Sequence, residues 1–175
     1  MAAKVVSKGG FAGWGMNVLF LCSGNISRSF LAEALFRTEL ERNGVGGVAT
    51  RSAGLLAFPG NRPDPEMVAF LRDRGLPVPD HRARAFSRED AAWADLILVM
   101  ERPHLYMAER RFPEAGGKLD LLGRCIPGTA EAPEIEDPFG LDASRYRHAQ
   151  ERIVEAVQGL VRRIGEAQGG TTKPC

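Results

Sequence analysis

Cysteine is scarce in this chain, and the few present stand far apart. The 175 residues hold three, Cys22, Cys125 and Cys175, an odd number at wide spacing. That excludes a disulfide framework and matches no zinc-ligand pattern. Neither sign of charge is in excess: 23 Lys and Arg against 22 Asp and Glu leave a net charge of +1. Such a balance gives no reason to expect nucleic acid or a membrane surface as partner. No apolar run approaches the ~20 residues needed to cross a bilayer. Residues 1–15, with four Gly and a lone Trp14, lack the apolar centre of a signal peptide and read as a flexible tail. A reducing cytoplasm is the expected compartment. There is no internal repeat and no sign of a second domain. An apolar share of 44% and a charged share of 26% are ordinary for a soluble globular chain long enough to bury a real core.

What is present centres on one stretch, Val18-Leu19-Phe20-Leu21-Cys22-Ser23-Gly24-Asn25-Ile26-Ser27-Arg28-Ser29. It begins as the apolar run of a buried strand. It breaks at Gly24-Asn25, residue types that tolerate unusual backbone angles. It then opens a helix through Leu31, Leu35 and Leu40. A backbone that curls this way turns several N–H groups into one hollow beside the positive end of a helix, which suits a phosphate. Arg28 can grip two phosphate oxygens in a bidentate fork. Cys22 sits beneath, where the same field suits a thiolate nucleophile. Taken alone, such a cysteine would read as a buried structural thiol.

The remaining chain reads as alternating strands and helices. Strands are expected at 17–22, 48–53, 95–100 and 118–122, and helices at about 28–43, 65–74, 103–112 and 142–166. Gly44, Gly46 and Gly47 close the first helix. Asp64-Pro65 opens the second as cap and first helical residue. Ser87 followed by Asp90 is a further capped start. Tyr146, Ala149, Ile153, Val157, Leu160 and Ile164 recur at the spacing of one helix face. Residues 123–140 form a loop rich in Pro and Gly, long enough to suggest function. Residues 168–175 are expected to fray as a second tail. These elements predict an α/β domain over 16–167, a four-stranded parallel sheet flanked by helices on both faces. The phosphate-binding loop follows the first strand, beyond the carboxyl ends of the strands where open sheets bind ligands.

Over residues 16–165 the ordered motifs resemble the low-molecular-weight protein tyrosine phosphatases of bacterial type. They are Cys22-x5-Arg28-Ser29, Ser52-Ala53-Gly54, Phe58, Pro63-Asp64-Pro65, His81-Arg82-Ala83-Arg84, the strand ending at Glu101, Leu119-Asp120-Leu121-Leu122-Gly123 and Asp137-Pro138-Phe139-Gly140. The resemblance implies hydrolysis of phosphotyrosine through a phosphocysteine, with Cys22 as nucleophile, Arg28 stabilising the transferring phosphoryl group and Asp137 as general acid, then base. It implies that Ser23, Gly24, Asn25, Ile26 and Ser27 bind the phosphate and that Phe58 and Phe139 sandwich a flat ring. Asn25, Ser29, Ser52 and His81 would brace the loop, Ser29 by a hydrogen bond to the thiolate. His81 reads as a brace rather than a proton donor. No metal or other cofactor is implied. Partners would be phosphotyrosine proteins, among them bacterial tyrosine kinases.

Four positions depart from the family pattern. Phe30 stands where Pro is usual, Ser27 where a second Cys is usual and Phe139 where Tyr is common, with Gly140 at once after it. Asp-Pro-Phe-Gly is also the form found in related bacterial protein-arginine phosphatases, the alternative reading. Ile26, however, matches the tyrosine enzymes, whereas the arginine enzymes carry Thr there. An arsenate reductase would need shuttling cysteines, and residues 82–99 contain none. A non-catalytic phosphate-binding module would lack the Cys or the Asp. Cys125 and Cys175 carry no expected role, and Arg110-Arg111 and Arg162-Arg163 read as solvated surface.

Overall fold

A computed structural model describes residues 15–129 and 133–169. All but Gly15 of the expected amino-terminal tail lies outside the described residues, as do 170–175 with Cys175. Four parallel strands, β1 (Met16–Cys22), β2 (Val48–Gly54), β3 (Leu96–Val99) and β4 (Leu119–Leu121), form one sheet in the order β2-β1-β3-β4. The α/β expectation is borne out, including helices on both faces.

Strand pleating divides the core. Val18, Phe20, Cys22, Leu98 and Met100 face one way, against α1 (Arg28–Arg42), α2 (Pro65–Asp73) and α5 (Ala143–Gly169). Leu19, Leu21, Ile97 and Val99 face the other, against α3 (Arg88–Trp93) and α4 (Arg102–Arg111). Both faces of β1 are thus buried, which is why it reads as an unbroken apolar run rather than an alternating one. All six residues of the expected α5 face are buried.

Local signals act where expected. Asp64 caps α2 by accepting from the Glu66 N–H, with Pro65 in the first turn, and Ser87 with Asp90 forms a reciprocal capping box on α3. The loop expected over 123–140 differs at its start. A 3-10 turn, Leu122–Cys125, follows β4 directly and packs on α5, where a Cβ on Gly159 would lie 1.9 Å from the Cys125 carbonyl oxygen. Helix α5 runs through Gly169, beyond the expected 166, and Gln168 donates to the Gly46 carbonyl.

The chain leaves β1 toward β2 on one side, then returns to build β3 and β4 on the other. The segment after β1 therefore lies at the point where the winding reverses, where α/β sheets open a crevice. The turns after β2 and β3 and the arm after β4 meet at that same edge.

Candidate active site

Cys22 ends β1 with 2% of its surface exposed, and Ser23 to Ser27 curl from it into α1. Asn25 is the one non-glycine among the described residues with positive φ, at 55°. The side chain that holds this conformation is fully buried. Its Oδ1 accepts from the Arg84 N–H at 3.0 Å, which fixes the amide's orientation. Both hydrogens of Nδ2 are then spent, on Ser29 Oγ at 3.0 Å and Ser52 Oγ at 2.9 Å. The Ser52 hydroxyl donates in turn to Glu33 at 2.6 Å. Ser29, already accepting from Asn25, directs its hydroxyl to Cys22 Sγ at 3.0 Å, and the Asn25 N–H reaches the same sulfur at 3.3 Å. The His81 Nε2–H donates to the Asn25 carbonyl at 2.7 Å, and Phe30 packs on the His81 ring. The four bracing residues therefore meet in one network. Glu33 and the Arg84 backbone complete it; Arg84 ends the motif that begins at His81, whereas nothing in the sequence singles out Glu33.

The segment between β2 and α2 grips the same loop. The Leu55 and Leu56 N–H groups donate to the Cys22 and Ser23 carbonyls, and Asp64 N–H to that of Ile26. Gly54 lies so close that a Cβ there would meet the Ser23 carbonyl oxygen at 2.6 Å and the Asn25 nitrogen at 2.9 Å. A side chain has no room, which is the physical content of the Ser52-Ala53-Gly54 motif.

Arg28 is 1% exposed, among the most buried large side chains. Nη1 donates to Glu101 at 2.6 Å and to the Ile135 carbonyl at 2.8 Å, while Nη2 pairs with Asp137 at 2.9 Å. The Nε–H is buried with no partner among the described residues. Arg28 thus joins the loop after β1, the end of β3 and the arm carrying Asp137. That arm is held to β3 by the Ile135 N–H on the Met100 carbonyl. The cradle offers the Asn25 N–H, a guanidinium and a sulfur, and a half-exposed carboxylate stands on the guanidinium. Such a set can bind a tetrahedral oxyanion over the sulfur and pass a proton to a departing group.

The two aromatics expected to flank a substrate ring are exposed. Phe58 is 76% and Phe139 56% exposed, which rules out a core role for Phe58. Leu56 and Leu141 are also exposed. Arg111 is exposed, as expected of solvated surface, and also donates to the Leu55 carbonyl at 2.6 Å. Tyr146 was legible only as a core residue. Its hydroxyl donates to Asp64 at 2.8 Å, and burial first, then Asp64, pushes its pKa up to about 12.

His104 escaped the sequence reading altogether. It is 4% exposed, and its Nε2 lies 3.0 Å from Ser23 Oγ. Burial first, then the Arg28 guanidinium, holds its pKa below the ordinary value of 6.5, against opposing pulls from Glu101, Asp137 and Glu134. Neither Glu101 nor His104 lies near Cys22 in sequence. The usable signal was the end of the third strand, because sheet order sets β3 beside β1.

An open parallel sheet with a Cys-x5-Arg cradle at its switch point defines a class of phosphate-handling proteins. The family described as low molecular weight phosphotyrosine protein phosphatase matches residues 17–169, and the chain belongs to it. It is 32% identical over 151 residues to a protein-arginine-phosphatase of Geobacillus stearothermophilus, covering 86% of this chain and 97% of that one. It is 33% identical over 147 residues to the probable low molecular weight protein-tyrosine-phosphatase EpsP of Ralstonia nicotianae, covering 84% and 94%. The crystal structure of the tyrosine phosphatase Wzb from Escherichia coli K30 in complex with sulphate superposes with a TM-score of 0.75 at 30% identity, covering 85% of this chain and 98% of that one.

Proposed function

We propose that this chain hydrolyses phosphotyrosine on proteins through a phosphocysteine. The observation that carries the reading is the meeting of Cys22, Arg28 and Asp137 at one crevice, with the sulfur receiving the Ser29 hydroxyl and the Asn25 N–H. Both groups are arranged as donors to a thiolate. Cys22 Sγ attacks phosphorus, the P–O bond to the phenol breaks, and Asp137 gives its proton to the departing oxygen. The ionised Asp137 then takes a proton from water as that water attacks phosphorus and the S–P bond breaks. Arg28 Nε–H, buried and unpartnered among the described residues, is the donor left for a phosphoryl oxygen.

The related arginine phosphatase and the Asp137-Pro138-Phe139-Gly140 loop favour phosphoarginine as a second reading. Ile26 speaks for tyrosine. It is half-buried in the cradle, and a branched apolar side chain leaves a guanidinium's nitrogens without partners, at about 1–3 kcal/mol for each lost bond. An aryl ring loses nothing there. Bacterial tyrosine kinases would be natural substrates, in the cytoplasm. The deciding experiment compares phosphotyrosine, phosphoarginine and phosphoserine peptides, with Cys22→Ser as control. Higher kcat/KM on phosphotyrosine and loss of turnover in Cys22→Ser are expected. Higher kcat/KM on phosphoarginine overturns the substrate choice, and turnover near wild type in Cys22→Ser overturns the nucleophile.

A further inference from the structure

Ser23 directly follows Cys22, and its hydroxyl lies 3.0 Å from His104 Nε2, the spacing of a serine nucleophile and its histidine base. The opposite ring nitrogen decides between roles. A backbone N–H can only donate, and that of Glu101 points at His104 Nδ1 at 3.3 Å. Nδ1 is therefore the acceptor and the ring proton sits on Nε2. His104 donates to Ser23 and has no lone pair free to take a proton from it. Ser23 Oγ, accepting from the imidazole, keeps its own hydroxyl proton, which has no acceptor among the described residues.

This hydroxyl belongs to the first residue of the loop that curls from Cys22, and its histidine is tied into the network around Arg28. His104 Nε2 is 3.7 Å from Glu101 Oε2, which is 2.6 Å from Arg28 Nη1, while Arg28 Nη2 is 2.9 Å from Asp137. We propose that the Ser23 hydroxyl is a further donor to the bound phosphoryl group and that His104 is the positioning residue that aims it. The inference rests on the phosphatase reading above, because it names a contact within that same site. It adds a side-chain donor to a cradle otherwise built of backbone N–H groups and Arg28.

The pair is aimed only while the imidazole is neutral. Facing it are Arg28 from α1, Glu101 from the cap of α4, Asp137 and Glu134 from the arm after β4, and Ser23 itself. A second proton, on Nδ1, would set two donors against each other at Glu101 N–H. The imidazolium would also compete with Arg28 for the Glu101 carboxylate. The aim is then lost as pH falls.

The test measures kcat, KM and inhibition by inorganic phosphate with p-nitrophenyl phosphate from pH 5 to 8. Ser23→Ala and His104→Asn should each lower kcat/KM about tenfold and weaken phosphate inhibition, and the double variant should be no worse than either. Ser23→Thr keeps a hydroxyl and His104→Gln a donor that reaches it, so both should stay within about threefold of wild type. His104→Gln, having nothing to titrate, should hold its activity to lower pH. Wild-type values in Ser23→Ala, additive losses in the double variant, or His104→Gln as impaired as His104→Asn would overturn the inference. Calorimetry of inorganic phosphate on Cys22→Ser, with and without Ser23→Ala, separates the two readings. Ser23-dependent binding in a protein whose wild type cleaves no ester would support the contact and overturn the hydrolase.

Discussion

At the scale of single residues, the site is governed by which groups can donate. Asn25 shows this most clearly: Arg84 N–H fixes its amide, the amide fixes Ser29, and Ser29 is left to face the sulfur. Asp137 is tied more loosely, its side chain 45% exposed and joined to Arg28 by one ion pair. It can leave Arg28 when an oxyanion takes the guanidinium, take up a proton from solvent, and then give that proton to the departing oxygen. Asp137→Ala should accordingly slow hydrolysis on the order of 10²-fold for esters of weakly acidic alcohols. The loss should be smaller for very acidic phenols, which depart without a proton. Rates across a leaving-group series check this, and an equal loss at every leaving group would remove Asp137 from the acid role. His104 makes a separate prediction about stability. Its pKa is lowered by folding, so the unfolded chain binds the proton first. Folding is therefore weakened as pH falls below the ordinary value of 6.5, and this loss is absent above it. Urea midpoints at pH 5 and pH 7.5 should show His104→Gln losing less stability on acidification than wild type does.

At the scale of elements, the strands were legible because burial on both faces leaves unbroken apolar runs such as Val18 to Cys22, and the helices because caps such as Asp64 and Ser87 stand where the chain needs them. The same reading ran out wherever contacts cross between elements. Ser23 and His104 are 81 residues apart, Arg28 and Ile135 107 apart. Only the strand order, with β1 between β2 and β3, brings them to one edge, and the length and polarity of each segment do not state that order. Gly54 sits at such a crossing. Its motif was visible and its reason was not, since the reason is the backbone of another element at 2.6 Å. Gly54→Ala adds a single methyl group against that backbone, so the cradle should be displaced. We expect a stability loss of about 1–3 kcal/mol from the overpacked contact, together with a fall in kcat/KM. A denaturant titration and steady-state rates on one preparation check both. Unchanged values in each would show that the loop after Cys22 shifts at no cost.

At the scale of the whole molecule, the fold decides how the nucleophile withstands oxidation. Peroxide, a small molecule, attacks a nucleophilic thiolate to give a sulfenic acid, and a second thiol nearby can trap it as a reversible disulfide. Where many relatives carry that second Cys, this chain has Ser27. Cys125 is a poor substitute for two reasons. Burial pushes its thiol up to about 11, so at neutral pH it is protonated and a weak attacker. Its 3-10 turn also bears directly on α5, with the Cys125 carbonyl in the space a Cβ on Gly159 would need. The turn that carries the sulfur is thus pinned against the helix. Cys175, outside the described residues, can be removed from the question by substitution. In a Cys175→Ser background, peroxide should therefore inactivate the enzyme with poor recovery on dithiothreitol. Adding Ser27→Cys should restore much of the recovery while leaving the untreated rate within about threefold, because the substitution keeps side-chain size and leaves Arg28 and Asn25 in place. Activity before and after reductant, with mass spectrometry of the Cys22 peptide, reads the outcome. Full recovery accompanied by a Cys22–Cys125 disulfide would mean that the turn after β4 opens readily and that its packing on α5 does not hold the two thiols apart.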